Sequence, residues 1–589
     1  MRTRTKIICT MGPATNSLEK IIELINAGMD VARLNFSHGT QPEHLVTINY
    51  LKQARIQLNR PLAIMLDTKG PEIRLGKIKD GHVALEPGQK WKLLKEEMLG
   101  DNENASILPG SVLENIEVGT RVLFDDGYIS SHVVEVNHAG VVIQIDNGGI
   151  IRSGKGVNIP NVNLNLPAVT QKDIDDIKFG CMHDIDLIAA SFVRSAEHVL
   201  AIKNILAEEK KADILVIAKI ENSEGVQNFD SIVQAADGIM IARGDLGVEV
   251  PLSHVPRLQK MMIRKSYLAG KPVVTATQML ESMITNPRPT RAETSDVANA
   301  IYDSTSAVML SGETAIGKYP VETVNVMRSI IEEAEDDFNY HAFFDQHAPF
   351  VYHDVPSAVT LATVKTAYSS NAKAIFAFTR GGTTARLLSR LRPRMPIIAM
   401  TANEKSYHQL AFNWGVIPHK STEILKTLSE GFHAITNFAL ENQLVAYGDL
   451  VVMTAGTPFG ISGTTNMMIV ESIGDVLVRG HNGYGSRVHG NVSIVLYPEN
   501  KPPYAVKDQL LVIAQCDEAY LPLIQEAKGI ILQNHINDVA SEKYAKKMAL
   551  SLGKPVLLRA DAACRILKEG QLVTLDPEKA LVYKGVVLE

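Results

Sequence analysis

Two short segments concentrate side chains that could do chemistry. VARLNFSHG carries Arg33, Asn35, Phe36, Ser37 and His38, and LDTKGPEIR carries Asp67, Thr68, Lys69 and Arg74. Further along, AKIEN supplies Lys219 and Glu221, ARGDLG supplies Arg243, Gly244 and Asp245, and TATQML supplies Thr275, Thr277 and Gln278. Glu221 and Asp245 are hard carboxylates, the donors that suit Mg²⁺ or Mn²⁺ held by few protein ligands and completed by substrate oxygens. Arg33, Arg74 and Lys219 offer permanent positive charge to a phosphoryl group. Asn35, Ser37, Asp67 and Thr68 bring side-chain oxygens with one formal charge, a nest for a monovalent cation. The run Gly244-Asp245-Leu246-Gly247 would put backbone N–H groups at a helix start, facing a carboxylate or phosphate. Each residue alone has an ordinary alternative, because polar groups at strand ends often cap helices or pair locally. Their combination points to a metal-dependent enzyme acting on a small phosphorylated anion.

The elements that must position these groups are alternating strands and helices. KIICTMG reads as a buried strand, and Asn16 or Ser17 then caps a helix with Leu18, Ile21, Ile22 and Ile25 on one face, ended by Gly28. MDVARLNFSHG and PLAIMLDTKGPEIR are two more strands, separated by a helix through roughly 42–58. From Gly76 to Pro167 short alternating segments between Gly, Asp and Asn turns indicate an all-β insertion. Five apolar strands follow: IDLIAASFV, ILVIAKIEN, GIMIARGDLG, KPVVTATQML and SAVMLSGETA. Three strands before the insertion and five after it make eight, which argues for an α/β fold built on a (β/α)₈ TIM barrel with an inserted β-barrel lid domain. A doubly wound open sheet fits the periodicity but not the count. In a barrel the polar strand tips all belong to one face, where active sites are built.

The chain has 589 residues, 45% hydrophobic and 21% charged, enough for several domains and too apolar for wholesale disorder. Residues 1–70 and 169–345 are assigned to the barrel, 71–168 to the lid, 346–472 to a C-terminal α/β regulatory domain and 473–589 to an extra C-terminal domain. HAFFDQHAPFVYHDV is expected to be a linker. A net charge of −6 offers no global basic field for nucleic acid. No run of about 18 apolar residues suggests a membrane span, and the basic start lacks an apolar stretch of signal-peptide length. Four scattered cysteines read as reduced thiols, so a cytoplasmic protein is expected. Gly312 to Lys318 begins like a nucleotide-binding P-loop, but Tyr319 stands where a metal-binding hydroxyl belongs.

VARLNFSHG, LDTKGPEIR, AKIEN, ARGDLG, ATQMLESM and MLSGETAIGKYP, in this order and spacing, resemble pyruvate kinase over roughly residues 1–472. The resemblance implies phosphoryl transfer from phosphoenolpyruvate to ADP, giving pyruvate and ATP, with Mg²⁺ or Mn²⁺ and K⁺ as cofactors. By similarity, Arg33 binds the transferring group, and Lys219 stabilises charge on it and on the enolate. Glu221 and Asp245 hold the divalent metal, while Asn35, Ser37, Asp67 and Thr68 match the K⁺ site. Gly244, Asp245 and Thr277 line the place of the substrate carboxylate. Asn35, Phe36, Ser37, His38, Arg74 and Lys155 correspond to nucleotide contacts. Glu72 is the residue seen in K⁺-dependent members, so K⁺ activation is expected. Thr277, through a water chain, is a candidate for protonating the enolate. The resemblance also implies a homotetramer.

In the second domain, FAFTRGGTTARLL sets Thr379, Arg380, Gly381, Gly382, Thr383 and Thr384 between a strand and a helix. Such a loop suits a phosphate, and the family's effector site uses the corresponding loop. Fructose 1,6-bisphosphate, ribose 5-phosphate and AMP all fit that description. Ser462 and Thr464 would close over it. The tail resembles the phosphohistidine domain of phosphoenolpyruvate-utilising enzymes, yet Tyr544 stands where the histidine belongs and His535 comes nine residues too early. A structural role is therefore expected for it. Two rivals to the kinase reading are a silent metabolite sensor on the same scaffold and an aldolase or lyase working through a metal-bound enolate. The intact charged set argues against the first, and Arg74, Lys155 and the lid against the second.

Overall fold

The computed structural model describes residues 3–587 except 163, 165, 351–353, 422–426 and 458–463. The chain forms two compact units, one of Met1–Val364, Phe376–Gly431 and Thr454–Met467, the other of Lys365–Ile375, Phe432–Met453 and Met468–Glu589.

In the first unit eight parallel strands close into a barrel: β1 (Lys6–Thr10), β2 (Val31–Asn35), β3 (Ala63–Asp67), β4 (Leu187–Ala190), β5 (Leu215–Ile220), β6 (Gly238–Ala242), β7 (Val273–Ala276) and β8 (Ala307–Leu310). They follow one another around the barrel in chain order. Each is covered on both faces, which is why they read as near-continuous apolar runs rather than as alternation. Ile8, Val31, Met65, Leu187, Ile217, Met240, Val274 and Met309 fill the interior. Outside, helices such as α1 (Leu18–Ala27) and α2 (Gln41–Leu58) pack around them. Ser17 caps α1 by accepting from the Lys20 N–H. Gly28 ends that helix at φ +136°, a backbone conformation that side-chain-bearing residues avoid.

The barrel's N-terminal end is closed by a segment from far downstream. Phe412 is fully buried among the interior side chains. Around it, the Leu62 N–H donates to His408 Nδ1, Gln409 donates to the carbonyls of Asp186 and Asp213, and Lys405 donates to that of Ile185.

Between β3 and β4 the insertion is all-β. Its seven-stranded sheet runs Val157–Asn158, Arg121–Phe124, Ile129–Asn137, Gly140–Ile145, Lys90–Leu94, Asn104–Leu108 and Arg74–Leu75. Trp91, Phe124 and Val133 lie in its core.

Residues 374–472 carry a five-stranded sheet of β9 (Ala374–Phe378), β10 (Ile397–Thr401), β11 (Val416–Lys420), β12 (Leu450–Gly456) and β13 (Thr465–Ser472), in the order β11-β10-β9-β12-β13. The expected linker is instead partly helical: Tyr340–His347 form a helix capped by the Asn339 side chain, with Phe343 and Phe344 buried. Aromatic residues at helical spacing drove that outcome.

The second unit holds an eight-stranded mixed sheet over 476–584, with Tyr520 and Tyr583 among its fully buried side chains. Tyr544 lies on its helix Val539–Ser551, partly buried against the core, and His535 is exposed. All four cysteines are free thiols, and Cys9, Cys181 and Cys516 are buried.

Candidate active site

β2 and β3 lie side by side with Asn35 in register with Asp67, so their C-terminal ends bring Arg33, Asn35, Asp67 and Thr68 to one mouth of the barrel. Arg33 is buried there. Its Nε donates to Asp67 Oδ2 at 2.5 Å and its Nη1 to Thr10 Oγ1 at 2.9 Å. From the end of β5, Lys219 Nζ donates to Asp67 Oδ1 at 3.1 Å and lies 3.0 Å from Glu221 Oε1. Two cations and two carboxylates thus alternate as a buried chain, Arg33–Asp67–Lys219–Glu221.

Burial and mutual charge set the protonation of this chain. Burial pushes the Asp67 carboxyl up, but Arg33 and Lys219 outweigh it and hold the group below the usual carboxylate range. For Lys219 burial acts downward, and the carboxylates of Asp67 and Glu221 outweigh it, so the ammonium is held above its ordinary value. Glu221 is different: burial pushes it up to about 7, with Asp245 adding to the rise and Lys219 opposing it. Asp245, in the short helix α3 (Arg243–Glu249), is likewise raised by burial. Two carboxyls raised in this way are a pair that a divalent cation would relieve, and their hard oxygens fit Mg²⁺ or Mn²⁺. Among the described residues no cluster of three or more acidic, histidine or cysteine side chains is set to hold a metal.

The tip of β4 adds a residue that the motif reading does not single out. Ser191 Oγ accepts from Lys219 Nζ at 2.8 Å and lies 3.0 Å from Asp67 Oδ1 and 2.6 Å from the Thr68 carbonyl. The next N–H, of Phe192, donates to Glu221 Oε2 at 2.5 Å. The rule that picked out the other strand tips would have found Ser191, which directly follows Ala190.

Thr277 sits at φ +66° and Gln278 at +55°. A β-branched residue is strained in that region. Arg243 holds the segment in place: its guanidinium donates to the carbonyls of Ala276 and Thr277 and pairs with Asp296 at 2.7 Å. Arg243 is thus scaffold. Thr277 Oγ1 accepts the Gly244 N–H at 2.8 Å and donates to the Ala276 carbonyl at 2.7 Å. The Gly244 N–H, expected to face a substrate anion, is therefore already engaged.

On the lid side, Arg74 pairs with Glu72 at 2.6 Å and donates to the Gly154 carbonyl, while Lys155 pairs with Asp125 at 2.6 Å. The lid reaches α3, where Asn158 donates to Glu249 at 2.9 Å. Asn35 Oδ1 accepts the Ser37 N–H at 3.1 Å, and His38 is exposed. Phe36 stacks on His44 at 4.0 Å and is buried in the core, and its N–H donates to the Asp67 carbonyl.

The loop after β9 leads into α5 (Thr383–Ser389), with Gly382 at φ +82° before it. The Thr379 N–H donates to the Met400 carbonyl, Arg380 is exposed, Gly381 is half-buried and Thr383 Oγ1 accepts from Arg386 at 3.2 Å. Thr384 departs from expectation: it is buried, its hydroxyl 2.6 Å from that of Thr465, and so is turned away from any ligand of the loop. Ser462 lies outside the described residues. The segment Gly312–Lys318 starts a short helix after β8, and its buried Glu313 accepts from the N–H groups of Leu280 and Ser311, a structural role.

Compared with known proteins, residues 2–324 match the family model for the pyruvate kinase barrel domain and 357–471 that for the pyruvate kinase alpha/beta domain. A pyruvate kinase of Geobacillus stearothermophilus is 43% identical over 587 residues, 99% of either chain. One from Staphylococcus aureus strain MRSA252 is 42% identical over 590 residues, again 99% of each. Among solved structures, a pyruvate kinase from Cryptosporidium parvum superposes with a TM-score of 0.77 at 39% identity, covering 80% of this chain and 96% of that one.

Proposed function

The chain belongs to the pyruvate kinase family, and from that premise we propose how its own residues divide the work. The reaction moves the phosphoryl group of phosphoenolpyruvate to ADP, giving pyruvate and ATP, the final step of glycolysis. Such transfer passes through a loose, metaphosphate-like state, so it needs positioning and charge neutralisation more than a nucleophilic side chain. The observation that carries the assignment is the buried chain Arg33–Asp67–Lys219–Glu221 at the barrel mouth.

Arg33 and Lys219 bind the phosphoryl group, and Lys219 also stabilises the charge left on the enolate oxygen. Asp67 and Ser191 hold both cations in position. Members of the family generally depend on a divalent metal and on K⁺. Here Glu221 and Asp245 would hold Mg²⁺ or Mn²⁺, which when bound neutralises charge between the two substrates. Asn35, Ser37, Asp67 and Thr68 would hold K⁺. Asp245 and Thr277 flank the place of the substrate carboxylate beside Gly244, whose own N–H stays with Thr277 Oγ1, and Thr277 positions the water through which the enolate carbon receives its proton. Arg74 and Lys155 bind the nucleotide phosphates, exchanging Glu72 and Asp125 for phosphate oxygens as the lid closes and excludes water. The backbone and side chains of Asn35 to His38 complete the nucleotide contacts.

We further assign loop 379–384, without the Thr384 hydroxyl, to a phosphorylated effector. The four-part division into barrel, lid, regulatory and extra C-terminal domains, a homotetramer and a cytoplasmic location complete the reading. Among the described residues no helix is long and apolar enough to cross a membrane.

The test is pyruvate formation from phosphoenolpyruvate and ADP, coupled to lactate dehydrogenase, with Mg²⁺ and with or without K⁺. Turnover should require Mg²⁺, rise with K⁺ and fall about 10²–10³-fold in Lys219→Met, the effect of losing a principal charge stabiliser. Undiminished turnover in Lys219→Met would defeat the mechanism.

A further inference from the structure

A second concentration of positive charge lies within the first unit, away from the mouth. There the loop after α4 (Val255–Leu268) meets the C-terminal end of α5 in a cleft lined by Tyr267, Lys271, Ser306, Arg386, Arg390 and Arg392. The cleft is narrow, its enclosed part about the size of one water and the rest open to solvent. Arg392 is 2% exposed and Arg390 8%. The Arg392 guanidinium stacks 4.4 Å from the Trp414 ring and gives Nη2 to the Ser304 carbonyl and Ser306 Oγ, leaving Nε and Nη1 with no hydrogen-bond partner.

The charges that could balance this group are committed elsewhere. Glu335, the carboxylate acting on Arg392, accepts the N–H groups of Arg4 and Thr5. Asp237, which acts on Lys271 and Arg386, is held by Lys203 at 3.0 Å and by the Val216 N–H. Among the described residues no carboxylate lies within ion-pair distance of Lys271, Arg386 or Arg392. Burial pushes all three below their ordinary range. Buried guanidinium groups with unused donors are costly unless something accepts from them. Their planar forks match tetrahedral oxyanions, and Ser306 adds a hydroxyl.

We propose that this cleft binds a phosphate group, either free orthophosphate or the phosphoryl end of a small metabolite, between Lys271 of the barrel and Arg386, Arg390 and Arg392. The cleft adjoins loop 379–384 through Arg386, whose Nη2 donates to Thr383 Oγ1, whereas Lys271 and Arg392 belong to the cleft side.

Trp414 supplies a local reporter, because the chain has two tryptophans and the other, Trp91, is in the lid core. In a Trp91→Phe background, without divalent metal or nucleotide, sodium phosphate should change Trp414 fluorescence saturably, and sodium chloride at matched ionic strength should not. The midpoint should rise at least tenfold in Lys271→Met and in Arg386→Gln, and stay put in Arg380→Gln. Melting of the unmodified protein and of the same three variants, in phosphate against chloride, gives a second readout should Trp91→Phe fold poorly. Ribose 5-phosphate in place of orthophosphate separates the sources: tighter binding of the ester indicates a metabolite, and saturation by orthophosphate alone indicates the free ion. A response that chloride reproduces, that Lys271→Met and Arg386→Gln leave intact, or that Arg380→Gln abolishes would overturn the proposal.

Discussion

Asp67→Asn is the sharpest single test of the buried charge chain. The substitution keeps size and shape but removes the carboxylate that lies 2.5 Å from Arg33 and 3.1 Å from Lys219. At an effective dielectric constant near 20, each of those contacts is worth about 5–7 kcal/mol of gross attraction. Most of that offsets the desolvation of three ions, and breaking one member of such a buried set leaves a net cost of about 3–5 kcal/mol. For a unit of this size that corresponds to a melting decrease of roughly 3–6 °C. Activity should suffer beyond stability. With Asp67 gone, burial dominates at Lys219 and its pKa falls, since Asp67 is the first of the groups that raise it. The alkaline limb of the kcat profile should therefore move to lower pH, and kcat well below the melting range should drop about 10²–10³-fold, the scale of a misplaced charge stabiliser. The measurements are a calorimetric scan and a pH–rate profile from the coupled assay. A variant that melts within 1 °C of the parent, with kcat within about threefold and an unmoved alkaline limb, would refute the reasoning.

Other expectations follow from the same site and its supports. Because burial and Asp245 push Glu221 up to about 7, and only the carboxylate ligates, apparent Mn²⁺ affinity should weaken toward tenfold per pH unit below 7, as an EPR titration would show. Thr277→Ala removes the acceptor of the Gly244 N–H and should lower kcat about 10–100-fold, the value of one such hydrogen bond. Thr277→Gly should melt above Thr277→Ala, since glycine tolerates φ +66° and alanine does not; equal melting temperatures would argue against strain. His408 is held down to about 4, first by burial and then by Arg55. The unfolded chain therefore takes up a proton near pH 6.5 that the folded one refuses. Stability should fall by about 3 kcal/mol in all between pH 6.5 and 4, and His408→Gln should flatten that part of the curve in thermal scans.

Most of the barrel and much of its mouth could be read from the sequence because strand, tip and helix repeat in order. The eight apolar runs are the eight observed strands, and Arg33, Asp67, Lys219 and Glu221 converge as their positions at strand ends imply. What stayed hidden depends on side-chain direction. Nothing in RGGTT distinguishes Thr383, which accepts from Arg386, from Thr384, which turns inward to Thr465. The Gly244 N–H looked free because its partner is the hydroxyl of a residue 33 positions later. HAFFDQHAPFVYHDV has the composition of a linker, yet aromatics at helical spacing at its start bury Phe343 and Phe344. The closure of the barrel floor was invisible for a related reason: Phe412 is one aromatic among many in the sequence, and only the fold carries it to the interior.

That floor bears on how the protein is made. Translation completes β8 at Leu310, but the side chain that seals the barrel is still about a hundred residues away. At ribosomal rates of about 5–20 residues per second, every nascent chain passes roughly 5–20 s with all eight strands synthesised and an open apolar socket where Phe412 will sit. A gene truncated after residue 345 would leave the socket open permanently, so the catalytic barrel is not a module that can be cut out and expressed by itself.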